Sequence, residues 1–270
     1  MSNNIINFNW IGSQENFVDK PAVLQLNHIV VGRYGGNSNA GQYKNEDGCL
    51  IWLNEKEDWE FTILLDAHNS SESAEIIVEN FVKESSQIKD LLALPTTHQT
   101  FKRLEEKILN MFQSPEFLSA CQNVKGETAC LIVLRKDKYV WWFSVGDCIL
   151  YLFHPELSTL GQYQLNQRQF YEWIGQVNTF EQVVPCYSVG IKELRQGENH
   201  FFLTTDGLIE CPNEPYSDPL NIYNSFFNSK ESKSIHSMLK NIQGNNVRDS
   251  TTIVSWKVNI SKEATKASNQ

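Results

Sequence analysis

Hydrophobic period, more than any single motif, constrains what this chain can fold into: it runs in blocks that do not alternate strand with helix. From Ala22 to Asp66 the apolar residues gather in short β-prone runs, Ala22 to Leu26, Ile29 to Val31, Cys49 to Leu53 and Trp59 to Leu65, parted by Gly, Asn and charged turns. The period then changes. Ala74, Ile77, Val78, Phe81 and Val82 fall at helical spacing and predict one buried helix face, capped by Ser70 or Ser71, with Glu72 and Glu75 in the first turn. After Pro95, residues Phe101, Leu104, Ile108, Met111 and Phe112 predict a second helix. Strand runs return over Thr128 to Leu134 and Tyr139 to Val145, joined by a charged hairpin turn, and over Ile149 to Phe153. Residues 155 to 190 read as an irregular excursion with an aromatic patch at Phe170, Tyr171 and Trp173. His200 to Thr204 reads as a strand, Ser229 to Ile242 as a helix and Thr252 to Val258 as a last strand. Without regular βαβ units this order predicts an α+β fold with antiparallel sheets.

Composition narrows the classes. With 41% hydrophobic and 11% aromatic residues in 270, the chain is globular and can bury a core. A net charge of −9 argues against non-specific nucleic-acid binding, which needs a basic surface. No apolar stretch approaches the ~20 residues that cross a bilayer, and no signal peptide precedes the first strand. The six cysteines lack CxxC spacing, so neither zinc nor a disulfide framework is expected; Cys130 and Cys148 sit in apolar runs as small core residues. A cytoplasmic location follows as the expectation. No Pro/Gly-rich linker divides the chain, so residues 1–260 are expected to form one domain and 261–270 a frayed polar tail.

Acidic residues stand where the strand runs meet turns: Glu46-Asp47, Asp66, Asp206 and Asp249. The runs Phe61 to Leu65, Phe201 to Leu203 and Ile253 to Trp256 lie directly beside the last three. Strands that begin or end at a carboxylate bring distant acids to one rim of a sheet. Like charges so gathered raise one another's pKa unless cations neutralise them, and oxygen-only donors favour hard ions such as Mg²⁺ or Mn²⁺. Taken singly, each of these acids reads as a turn or cap residue. As a set they point to a metal-dependent hydrolase.

The ordered segments resemble the metal-dependent protein phosphatases of the PP2C (PPM) family, of bacterial type. That family's pattern runs Arg-x-x-x-Glu-Asp, Asp-Gly-His-Gly-Gly, Gly-x-Thr-Ala, Gly-Asp-Ser, Ser/Thr-Asp-Gly and Asp-Asn. Here stand Gln42-Tyr43-Lys44-Asn45-Glu46-Asp47, Asp66-Ala67-His68-Asn69-Ser70, Gly126-Glu127-Thr128-Ala129, Gly146-Asp147-Cys148, Thr205-Asp206-Gly207 and Asp249-Ser250. The resemblance implies a sandwich of two antiparallel β-sheets flanked by α-helices. It also implies hydrolysis of phosphoserine or phosphothreonine in proteins by a metal-bridged hydroxide. Asp66 would bridge two Mg²⁺ or Mn²⁺ ions, Asp206 and Asp249 completing one site, Glu46 and the Ala67 carbonyl the other. Asp147 with Asp206 would hold a third, weaker ion; read alone, Asp147 is a hairpin-turn residue. His68 matches the family's general acid.

Departures from the pattern define a second reading. Gln42 occupies the place of the phosphate-binding Arg and cannot form a bidentate charged pair. Lys44, on the same face of an extended segment, is the substitute for that charge, and Arg33 the next candidate. Ala67 and Asn69 replace glycines, Asn being the next best residue for left-handed backbone. The alternative to the enzyme is a pseudophosphatase that keeps the fold as a binding or regulatory module; a small-phosphoester phosphatase also fits the residues.

Overall fold

Almost every strand run of the sequence becomes a strand, and the sheets form because those runs are apolar on both faces. The computed structural model describes residues 5–227, 229–266 and 268. Strands β1 (Ile6–Ile11), β2 (Ala22–Leu26), β3 (Ile29–Tyr34), β4 (Gly48–Asn54) and β5 (Trp59–His68) come first. Four helices follow, α1 (Glu72–Lys83), α2 (Ser85–Leu92), α3 (His98–Phe112) and α4 (Pro115–Gln122). Then come β6 (Glu127–Lys136), β7 (Tyr139–Val145), β8 (Ile149–Phe153), the single-turn α5 (Pro155–Ser158), β9 (Ile174–Gly175), β10 (Ser188–Glu193) and β11 (Gly197–Thr204). Helices α6 (Pro219–Asn224) and α7 (Glu231–Gly244) precede the last strand, β12 (Thr251–Ile260).

One sheet runs β1-β4-β5-β6-β7-β10, with β9 paired to β6; the other runs β2-β3-β12-β11-β8. All pairings are antiparallel. Strand period divides the apolar residues between layers. Leu64, Leu131, Val133, Leu150, Leu152, Phe201, Leu203, Val254 and Trp256 meet between the sheets. Their strand neighbours Ile63, Leu65, Cys130 and Ile132 face the other way, onto Ile77, Phe81, Phe101 and Ile108 of α1 and α3. On the second sheet Val30, Tyr151, Phe202 and Ile253 pack on Ile235, Met238 and Ile242 of α7. The central strands are therefore covered on both faces, which is why their sequences read as continuous apolar runs.

Local chemistry explains the elements that periodicity alone does not predict. Helix α4 is too short for its apolar spacing to stand out, yet Ser114 accepts a hydrogen bond from the Phe117 N–H at 3.2 Å and Pro115 opens the first turn. Thr97 caps α3 in the same way through Thr100 N–H at 3.2 Å. At α1 the capping oxygen is that of Ser70, which accepts from Glu72 N–H at 3.2 Å, while Val82 is exposed rather than buried. Trp141 and Trp142 face opposite sides of β7 and both are packed, Trp141 under the helices and Trp142, half-buried, toward the inter-sheet layer. Part of the polar tail makes contacts with the domain. Ala264 is buried and Thr265 bonds to Glu193 and Arg195; Ala267, Asn269 and Gln270 lie outside the described residues. No described helix is long and apolar enough to cross a membrane.

Candidate metal centre

Antiparallel pairing carries the end of β5, the end of β11 and the start of β12 to one rim of the sandwich, with the turn after β7 beside them. Asp66 follows Leu64 on the inter-sheet face of β5, and the Asp206 N–H, from the other sheet, donates to Asp66 Oδ2 at 3.4 Å. Asp206 opens a 3₁₀ turn after β11, where Gly207 is required by close approach: a Cβ there would lie 2.2 Å from the Ser250 carbonyl oxygen. Asp47 is locked beneath them, its Oδ2 accepting from Thr252 Oγ1 at 2.7 Å and Thr205 Oγ1 at 3.2 Å. Asp147 sits in the tight turn between β7 and β8, and Asp249 just before β12. Ala67 and His68 are the last residues of β5; Ala67 keeps the extended backbone of the strand, and Asn69 takes the left-handed one at φ 70°. Gly126 lies under this corner at φ 81°, where a Cβ would stand 2.0 Å from the His68 carbonyl oxygen.

The electrostatics are those of an unneutralised acid cluster. Burial pushes the Asp66 carboxyl well above its ordinary range, and the charges of Asp206, Asp47, Asp249 and Asp147 push it further. Asp206 is raised by burial, then by Asp249, Asp147 and Glu210, with Arg168 pulling the other way. Burial likewise raises Asp47 despite its two threonine donors. Asp249 is raised by lost hydration and by Glu46 and Glu210, while the Ser250 N–H and His68 oppose the rise. Two carboxylate oxygens, Asp147 Oδ1 and Asp206 Oδ1, are buried with no hydrogen-bond partner among the described residues. Oxygens left so in a native structure need an explanation, and a bound water or cation is one that suits an anionic rim. As the side chains lie, no group of three or more His, Cys, Asp or Glu among the described residues is drawn together closely enough to grip an ion. The donor set, all oxygen and anionic, fits Mg²⁺ or Mn²⁺.

Cations of the chain itself enter this rim, and the sequence reading found only one of them. Lys44 Nζ donates to Glu46 Oε1 at 2.6 Å and to the Asn69 carbonyl at 2.7 Å, so it grips the candidate ligand and not open space. Arg168, from the irregular excursion, sets Nη2 3.1 Å from Asp147 Oδ2, 3.6 Å from Asp206 Oδ2 and in hydrogen-bond contact with Glu210. Nothing in the local sequence pattern distinguishes Arg168 from a surface arginine; only its aromatic neighbours mark the stretch. His68 is half-buried and meets the Trp173 ring edge-on at 4.9 Å between centroids. Gln42 is buried against Gly36, a Cβ at which would lie 2.8 Å from Gln42 Cγ. Arg33 stacks over Phe17 at 4.2 Å and Trp10 at 5.3 Å, an aromatic clasp that commits it elsewhere than to the carboxylates.

Comparison with known proteins gives the fold a counterpart. No protein-family model and no curated protein matches the sequence. Among solved structures the chain is similar to a bacterial serine phosphatase at 16% identity, with 95% of this chain and 99% of that one covered and a TM-score of 0.62. It is similar to RsbX in complex with magnesium at 16% identity, covering 88% of this chain and all of that one, with a TM-score of 0.57. The catalytic domain of the serine/threonine phosphatase PstP in complex with two manganese ions matches at 12% identity over 95% of this chain and 98% of that one, with a TM-score of 0.53. The chain thus has the fold of the bacterial PP2C-type phosphatases over nearly its full length, at low sequence identity.

Proposed function

We propose that this chain is a Mg²⁺- or Mn²⁺-dependent protein serine/threonine phosphatase, one phosphatase domain over residues 1–260. The observation that carries the reading is the buried trio Asp66, Asp206 and Asp147, with exposed Asp249 at its edge and two carboxylate oxygens left unpartnered. Asp66 would be shared between two ions, with Asp206 and Asp249 holding one, Glu46 and the Ala67 carbonyl the other. When bound, the ions supply Lewis acidity at a phosphoryl group and lower the pKa of a water. The rest falls to the chain. His68, its ring plane set by the edge of Trp173, gives a proton from an imidazole nitrogen to the departing serine or threonine oxygen. Asp47 keeps the two sheets in register through Thr205 and Thr252, and so holds Asp206 against Asp66. Lys44 donates to Glu46 until that carboxylate is engaged; its ammonium then serves the substrate phosphate, on the side where Gln42 has no charge to offer. Six free cysteines, five of them buried, suit a reducing cytoplasm.

A phosphothreonine peptide incubated with and without Mn²⁺ tests the reading: turnover should require the ion and vanish in chelator. Chelator-resistant turnover would refute it. Gln42 favours one other outcome, ion binding without turnover on any phosphopeptide, which would assign the chain to the pseudophosphatases.

A further inference from the structure

We propose that Arg168 occupies the third cation position of this rim, so that the chain takes up two exchangeable ions and supplies the third charge itself. The inference rests on the metal-dependent reading above. Its starting point is the guanidinium's position: a single nitrogen, Nη2, lies 3.1 Å from Asp147 Oδ2 and 3.6 Å from Asp206 Oδ2, the two side chains that would otherwise share a third ion. The same nitrogen bonds to Glu210, so three carboxylates meet one cation.

Arg168 is held there and does not wander in. Its guanidinium carbon stacks 4.7 Å from the Phe170 ring centre, its side chain is 19% exposed, and the next residue's N–H donates to the Gly146 carbonyl at 2.9 Å. That last bond ties the arginine's own segment to the turn bearing Asp147. A divalent ion set beside this guanidinium would meet a like charge and compete with it for the oxygens that Nη2 already holds. The oxygens that Arg168 leaves untouched, Asp206 Oδ1 and Asp147 Oδ1, are the unpartnered ones. Asp206 Oδ1 therefore stays available to the paired ions, while a further ion approaching Asp147 would meet the guanidinium 3.1 Å from that carboxylate. An arginine suits this role because it stays charged at any working pH and, unlike an ion, does not dissociate.

Mn²⁺ binding to the full chain, stripped with chelator and titrated to millimolar free ion under electron paramagnetic resonance, tests the proposal. Wild type should take up two ions, Arg168→Ala three, and Arg168→Lys two. Asp147→Asn, made in the otherwise wild-type chain, should leave the count at two, and it decides the matter should Arg168→Ala fail to fold. Three ions in wild type, no gain in a folded Arg168→Ala, or loss of an ion in Asp147→Asn would each overturn the inference. So would a raised KM for phosphopeptide in Arg168→Ala at an unchanged ion count, which would assign the guanidinium to the substrate phosphate. No Mn²⁺ bound by wild type at all is a different result: it removes the metal-dependent reading itself, and this inference with it.

Discussion

Strand β5 carries a buried carboxylate near each end, Glu60 and Asp66, six residues apart on the same inter-sheet face. Glu60 stands opposite Arg135 of β6 in the sheet register and accepts from its Nε at 2.5 Å, with His28 Nε2 at 2.9 Å on the other oxygen. Burial works to raise its carboxyl, but the His28 hydrogen bond and the Arg135 charge outweigh it and hold Glu60 below the usual range. Asp66 stands opposite Ala129, and its other near neighbours are acids, so burial and charge both push it up. The same strand therefore ends once in a closed ion pair and once in an open one. A buried acid whose counter-charge lies within the fold supports structure; one whose neighbours are acids does not.

The largest effect should come from breaking that contrast at its open end. Asp66→Asn should abolish Mn²⁺-dependent turnover on a phosphothreonine peptide, yet in chelator it should raise stability by about 1–2 kcal/mol, because an unpaired buried charge has been removed. Urea unfolding of both proteins in chelator checks the second half. At the closed end the sign reverses. Arg135→Met leaves buried Glu60 with only its His28 partner and should cost about 3–5 kcal/mol of stability, with Mn²⁺ affinity unchanged. If calorimetry showed Arg135→Met weakening Mn²⁺ binding, the two ends would not be independent.

The pH dependence of the chelated protein should display both ends at once. Asp66 and Asp47 are raised well above their ordinary value of 3.8 and Asp206 is pushed up to about 8, so the stability they contribute is full at low pH and lost as pH rises through those values. Glu60 is lowered from 4.5, so its contribution is present above that pH and lost as pH falls below it. Thermal unfolding in chelator should accordingly peak near pH ~5 and decline toward pH ~8. Mn²⁺ should lift the alkaline side alone. A flat profile from pH 5 to 8 would mean that the rim acids are neutralised without ions.

The smallest effect belongs to Lys44, the partial counter-ion of the open end. Its ammonium is half exposed, so Lys44→Ala should lower kcat/KM on a phosphopeptide by about tenfold or less. Because it also competes for Glu46, the same variant should bind Mn²⁺ slightly more tightly. Weaker Mn²⁺ binding would show that Lys44 positions Glu46 and does not compete for it.

Much of the fold was legible from period alone. The strand runs, the α1 and α3 faces and the final helix-strand pair appear within a few residues of their expected bounds. Strands β1 and β10 and helices α2 and α4 were not, since each is short and half-exposed, without the apolar repeat that longer buried elements carry. At the rim, the acids were legible as candidates because each adjoins a strand end. Their surroundings were not. Lys44 was expected to face phosphate and grips Glu46; Arg33 is clasped by aromatics; and Arg168 returns from a stretch with no period to reach Asp147, Asp206 and Glu210.

By itself the sequence determined most of the buried faces, Val82 apart, and which acids stand at strand ends, because burial largely follows from spacing along the chain and a strand needs only its own alternation. Whether a buried acid would be closed or open was decided by the tertiary structure. Glu60 and Asp66 are alike in sequence, a carboxylate in an apolar strand, and differ in what the fold sets around them: Arg135 opposite and His28 beside the one, Ala129 opposite and further acids beside the other. Charge interactions fall off with distance through space and take no account of separation along the chain. Their sign at Asp66 depended on Asp147 after β7, brought near through β6 of the same sheet, and on Asp206 and Asp249 beside β11 and β12, which reach β5 only when the two sheets close.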